Sequence, residues 1–256
     1  MSDPVADSET LAESTLLSHL LELRDRLLRA LIEASVIAVP CLWYQKEIYT
    51  WLSEPLRAQL PAGAKLISTS VIAPFMAPFK LALLAAFFFA MPVILYQVWA
   101  FIAPGLYKHE RRFALPLFVS SIILFYAGAA FAYFVVFPAI FNFFVNAAPV
   151  GTEVLPDITQ YMDFAVLLFF AFGLAFEIPV ATVLLVRTRL VKLEQLTSNR
   201  GYVLLGIFII AAFLTPPDAV SQTMMAVPMY ILYELGVVMS RVLVRNAPAK
   251  EEDESA

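Results

Sequence analysis

The stretch Phe101-Ile-Ala-Pro-Gly-Leu-Tyr-Lys-His-Glu-Arg-Arg112 turns from apolar to charged and back, with long apolar runs on both sides at residues 73–102 and 113–144. Pro104 and Gly105 supply a turn, because proline fixes φ and glycine tolerates positive φ. The pattern predicts a tight loop between two membrane helices. Lys108, Arg111 and Arg112 put that loop in the cytoplasm, where short loops of membrane proteins collect cations. Glu110 is the exception, a carboxylate set in a basic loop close to the membrane surface. Two readings stand. Glu110 pairs with its own neighbours, a contact worth little near a surface, or it receives a cationic guest.

Composition widens the first reading to the whole chain. Hydrophobic residues make up 61% of the 256, against about half in a soluble domain. The expected class is an all-α integral membrane protein. Cys41 is the single cysteine and His19 and His109 are the only histidines, which excludes an internal disulfide and a Cys/His metal cluster. No metal or cofactor is expected. No signal peptide is expected at the start, since the first residues are acidic and the first apolar run starts late. Acids gather at both ends, so residues 1–14 and 246–256 are expected as disordered tails around a membrane domain at 15–245.

Thr10-Leu-Ala-Glu13 has capping-box spacing, and Leu16, Leu20, Leu23, Leu27 and Leu31 form one apolar stripe. An amphipathic helix lying on the membrane surface fits this pattern. Its Glu22 and Arg26 are four residues apart and can pair with each other. Spans are expected at residues 27–44, 71–101, 113–144, 161–186, 201–214 and 220–240. The loop at 45–70 is expected to hold a short helix resting on the bilayer. The fifth segment is short enough to be re-entrant, but two short spans that thin the bilayer are preferred. Six spans put both termini on one side. Thirteen of the 17 Lys and Arg fall on the side of the termini and the two short loops, which makes that side the cytoplasm.

Within the spans, Glu177 needs a reason, because a carboxylate at the bilayer centre costs about 2.5–3.5 kcal/mol on insertion scales. It lies ten residues from Arg187, close to mid-membrane, and Pro179 frees the carbonyl of Ala175. It is either satisfied inside the bundle or an anchor for a partner helix or passing substrate. Lys80 and Glu234 read as structural, and Asp218 and Gln222 as turn and cap residues that could also mark a gate. No phosphate loop, HExxH or GxSxG motif is present, so no enzyme is expected.

Several stretches together resemble one family, TatC, the large polytopic subunit of the twin-arginine protein translocase. They are His19-Leu-Leu-Glu-Leu-Arg-Asp-Arg-Leu27, Phe75-Met-Ala-Pro-Phe-Lys-Leu81, Tyr96 through Arg112, Phe172-Gly-Leu-Ala-Phe-Glu-Ile-Pro179, Thr215-Pro-Pro-Asp-Ala-Val-Ser-Gln222 and Pro228-Met-Tyr-Ile-Leu-Tyr-Glu-Leu-Gly236. The resemblance covers residues 16–245. It implies transport of folded proteins across the bacterial inner membrane, driven by the proton-motive force, with TatA- and TatB-like single-span partners and a homo-oligomeric arrangement within the complex. By position it implies that Glu22, Arg24, Glu110 and Phe101 serve signal-peptide binding. Glu177 and Gln222 would serve intramembrane partner docking, and Asp218 and Pro55 a function on the periplasmic side. Two carboxylates reading two adjacent arginines make chemical sense, because a guanidinium fork matches a carboxylate bidentately and lysine does not. A small-solute transporter using Glu177 as a proton relay, and an assembly scaffold without a transport step, are the rivals.

Overall fold

The computed structural model describes the backbone of residues 4–58, 67–102, 111–147, 149, 157–215 and 218–245, and side chains within 20–53, 67–102, 115–147, 149, 157–215 and 218–243. The described chain is helical, apart from one isolated parallel bridge between Ile67 and Asp157. It divides into two compact units, residues 1–54 with 70–122, and 55–69 with 123–256.

In the first unit, α1 runs Pro4–Trp43 as one helix. This corrects two expectations. The amphipathic segment and the first span are not separate elements, and residues 4–14 are helical. The sequence supplies the reason. Between Pro4 and Pro40 there is neither proline nor glycine, and Asp7 and Glu9 fall in the early turns, where the helix dipole favours negative charge. Pro40 does not end the helix, which stops three residues later. There the chain turns by 82° into α2, Gln45–Ala58, the short helix expected in the first outer loop. Trp43 and Trp51 are exposed near this bend, as suits an interface.

The third helix, α3 (Ala73–Ile102), packs on α1 through small residues. Cys41 meets Ala82 and Ala86, with Ile37, Ala38, Leu42 and Ile48 around them. Alanines let two helices approach closely where no hydrophobic driving force separates protein from lipid. The start of α4 (Arg111–Phe131) joins this unit. The indole of buried Trp99 donates to Ser121 Oγ at 3.3 Å, and Tyr96 meets Phe118 edge-on.

The second unit begins within α4, which passes into a π-helical segment, Ala132–Val136, and then α5, Phe137–Asn146. Pro138 lacks the N–H that would continue the ladder, and a π bulge is one way to absorb that loss. The next span, expected as one helix, is two: α6 (Ile158–Ala175) and α7 (Ile178–Arg187). The proline ring of Pro179 clashes with the carbonyl of Ala175, where α6 stops. Glycines set the helix spacing here. An added Cβ on Gly128 would lie 2.4 Å from the Phe172 carbonyl, and one on Gly173 2.7 Å from the Phe125 ring. Aromatic rings fill the rest, with Phe131 against Phe172 and Phe176, and Phe137 and Phe141 against Tyr161.

The connection after α7 holds a short helix, α8 (Leu193–Ser198). Then come α9 (Arg200–Leu214) and α10 (Ala219–Arg245). Gly236 brings α10 against α7 at Pro179 and Thr182. Among the described residues, four spans are long and apolar enough to cross a membrane: Ala73–Ile102, Leu115–Asn146, Ile158–Arg187 and Ala219–Leu243. A fifth arises if the bent pair Leu20–Trp43 and Gln45–Ser53 counts as one, and α9 is a shorter apolar helix.

Candidate functional site

Glu22 stands on α1 with a half-buried side chain, 37% exposed. Arg26 donates Nε and Nη2 to its Oε1 at 3.0 and 2.7 Å. The internal pair foreseen from the four-residue spacing therefore forms. It does not hide the acid. Arg24 points elsewhere, 65% exposed, and pairs with its neighbour Asp25 at 2.8 Å. Helix pairs of this spacing are worth about 0.3–0.5 kcal/mol where exposed, and this one is part-buried. A better-placed guanidinium fork can displace Arg26 at small cost. Phe101 is half-buried in the last turn of α3, two residues before the loop. Glu110 lies outside the described residues.

Glu177 sits at the two-residue break between α6 and α7, half-buried. Its own N–H donates to Leu174 O at 3.0 Å and its carbonyl accepts from Ala181 N at 2.8 Å. The sequence placed the carboxylate beside a freed carbonyl. The structure adds that the helix breaks there, which concentrates backbone dipoles at the same depth.

Asp218 caps α10. Its Oδ1 accepts from Ser221 N at 2.7 Å and Val220 N at 3.1 Å, and its Oδ2 accepts from the Ser221 hydroxyl. The Ser221 hydroxyl above all, then the Ser221 and Val220 amides, hold this carboxyl below the usual range. Gln222, one turn on, donates Nε2 to Phe208 O at 2.9 Å and so ties α10 to α9. Asp218 takes the cap role expected of it, whereas Gln222, expected as a turn or cap residue, sits within α10 and bridges two helices instead. The backbone of Pro55 lies in α2, and its side chain is outside the described residues.

Two polar assemblies went unforeseen. Asp157, the N-cap of α6, binds Thr159 N and Gln160 N through Oδ1, and Thr69 N and Oγ1 through Oδ2 at 3.0 and 2.6 Å. The Thr69 hydroxyl and amide lead in holding its carboxyl at about 2. The cap was readable from Asp157-Ile-Thr-Gln160, but the partner 88 residues away was not. The second is a latch. Arg200 grips Glu234 with Nε at 2.8 Å and Nη2 at 2.9 Å, and Tyr230 donates to the same carboxylate at 2.9 Å. The structural role expected for Glu234 is thereby given a partner.

Residues 18–228 match the family model described as Sec-independent protein translocase protein (TatC). The chain belongs to the TatC family. It is 52% identical over 241 residues to the Sec-independent protein translocase protein TatC of Azotobacter chroococcum mcd 1, covering 94% of each chain. It is 51% identical to that of Escherichia coli strain K12, covering 93% of this chain and 92% of the relative. A crystal structure of a twin-arginine translocase receptor, TatC, superimposes with a TM-score of 0.80 at 35% identity, over 89% of this chain and all of the other. The protein is thus a multi-pass inner-membrane protein and a core subunit of the twin-arginine translocase, not an enzyme.

Proposed function

We propose that this chain is the receptor that binds twin-arginine signal peptides and, with TatA- and TatB-like single-span subunits, moves folded proteins across the membrane at the expense of the proton-motive force. The observation that carries the reading is the state of Glu22: a partly exposed carboxylate already gripped by a guanidinium through a weak, displaceable pair. One arginine of the guest replaces Arg26 on Glu22, and the second binds Glu110 on the loop at 103–110. On Glu22 the guest exchanges like for like with Arg26, so the net gain comes from the second contact, at Glu110, a charge-assisted contact worth about 1.5–3 kcal/mol. Arg24 contributes to the same surface, and Phe101 offers an aromatic edge for the apolar part of the peptide.

Glu177 and Gln222 serve as intramembrane points for partner helices. Gln222 uses its amide nitrogen within the chain, while its amide oxygen makes no hydrogen bond among the described residues. Asp218 and Pro55 shape the periplasmic side. Six spans with cytoplasmic termini follow if the bent α1–α2 pair contributes one span and α9, about 22 Å long, contributes another. Several copies of the chain assemble in the complex.

A charge swap tests the recognition. Glu110→Arg together with Glu22→Arg should abolish transport of a twin-arginine substrate and restore it for a signal carrying two acids. If both variants kept photocrosslinks to the twin-arginine signal at wild-type yield, these acids would not be the receptor. Glu177→Ala should remove partner-helix crosslinks at the α6–α7 break.

A further inference from the structure

Glu22, Arg26, Ala30, Glu33, Ile37 and Cys41 recur at three- and four-residue steps and are all buried or half-buried, so they share one seam of α1. The seam faces α3, because its far end packs on Ala82 and Ala86. There the end of α1 meets the early turns of α3, and the two helices pack over a long stretch, so they run antiparallel. Gln97 lies eleven residues after Ala86, and Ala30 eleven before Cys41, about three turns in each case. Gln97 and Ala30 therefore stand at one level of the seam, one turn inward from Arg26.

Gln97 is 8% exposed, and its amide makes no hydrogen bond among the described residues. Trp99 nearby faces another way, to Ser121 on α4. Glu33, one turn deeper than Ala30, has its Oε2 shielded from solvent and likewise without a hydrogen-bond partner among the described residues. Helical side chains lean toward the N-terminus, so the Glu33 carboxylate leans toward the Ala30 level. Arg29 is exposed and makes no ion pair with it. Two acceptors without donors thus stand just beyond a guanidinium whose partner, Glu22, is the group the guest takes.

The path between them is short. Leu27, Leu28, Arg29, Leu31 and Ile32 are exposed, so on the seam only the methyl of Ala30 separates Arg26 from Glu33. One turn is about 5.4 Å, a distance that a change of rotamer in a long side chain covers. A cation moved inward is costly unless it meets a counter-charge, and Glu33 is itself costly while unpartnered.

We propose that Gln97 and Glu33 form a second seat for Arg26. When a guest arginine takes Glu22, the Arg26 guanidinium turns inward and is held by Gln97 Oε1 and Glu33 Oε2. This rests on the signal-peptide reading and adds the step by which occupation of the surface site reaches the α1–α3 seam.

The test measures binding of a synthetic twin-arginine signal peptide, and of its twin-lysine counterpart, to the full chain in phospholipid vesicles. Gln97→Leu should weaken twin-arginine binding roughly 10-fold, the loss of one charge-assisted hydrogen bond, and Glu33→Leu at least as much. Gln97→Glu keeps an acceptor and should bind at least as tightly as the parent. Arg26→Leu leaves no guanidinium to re-seat, so in that background Gln97→Leu and Glu33→Leu should have no effect, an outcome that a packing role for either residue does not produce. Arg29→Leu should leave the whole pattern in place. If twin arginine is preferred over twin lysine but neither Gln97→Leu nor Glu33→Leu weakens binding, the second seat is refuted and the receptor reading stands. Equal weakening with and without Arg26 refutes it in favour of direct contact between Gln97 and the guest, and loss of the pattern on Arg29→Leu refutes it in favour of Arg29. No preference for twin arginine removes the receptor reading and the second seat together.

Discussion

Replacing Gly128 with alanine should destabilise the second unit, and the geometry sets the size. The new methyl would sit 2.4 Å from the Phe172 carbonyl oxygen and 2.9 Å from Cβ and Cγ of Phe176. Ordinary contact begins near 3.4 Å, so α4 and α6 must part by about 1 Å at a backbone atom that has no rotamer to escape through. Overpacking of this kind costs about 1–3 kcal/mol. Alanine returns about 0.8–1 kcal/mol of helix propensity, leaving a net loss of about 0–2 kcal/mol. That corresponds to a fall of up to about 8 °C in Tm for a domain of this size. Gly206→Ala is the control, because nothing lies within 4 Å of its added Cβ. It should raise Tm by about 2–4 °C. The assay is the loss of monodisperse protein on heating in detergent, followed by size exclusion. If Gly128→Ala matched Gly206→Ala in sign and size, close approach at Phe172 would not set the spacing of these helices.

Ser121→Ala leaves the Trp99 indole N–H buried without its acceptor, and should cost about 1–3 kcal/mol, read as faster thiol labelling of buried Cys41 on heating. Arg200→Ala should loosen α8 and α9 from α10 by about 1 kcal/mol or less, and Arg200→Lys should not fully restore the two-nitrogen grip, checked by proteolysis after α8. For Asp157 the folded carboxyl lies at about 2 against an ordinary 3.8. Its contribution is therefore fully present above about pH 4 and is lost as pH falls through about 2. Protection of the Thr69 and Gln160 amides should hold to about pH 3 in the native chain and be lost at every pH in Asp157→Ala.

Much of this molecule could be read before any coordinates. Apolar runs of membrane length, the cationic short loops and the proline turns are local properties, and they located the long spans to within a few residues. Glu22–Arg26 and the Asp218 cap were also readable, because both partners lie within one helical turn. The break at Glu177 was half readable. Pro179 announced a lost hydrogen bond, but whether a helix bends, bulges or stops depends on what packs beside it. Pro138 drew a π segment and Pro40 left its helix running, so one residue type gave different outcomes.

Sequence alone therefore determined the class, the order of the spans and the chemical types at the sites, since hydropathy and charge act residue by residue. Tertiary structure alone decided which groups meet: Asp157 with Thr69, Arg200 with Glu234, and the glycine contacts that set helix spacing. Those pairings join residues far apart in the chain, and no local pattern encodes a distance through space.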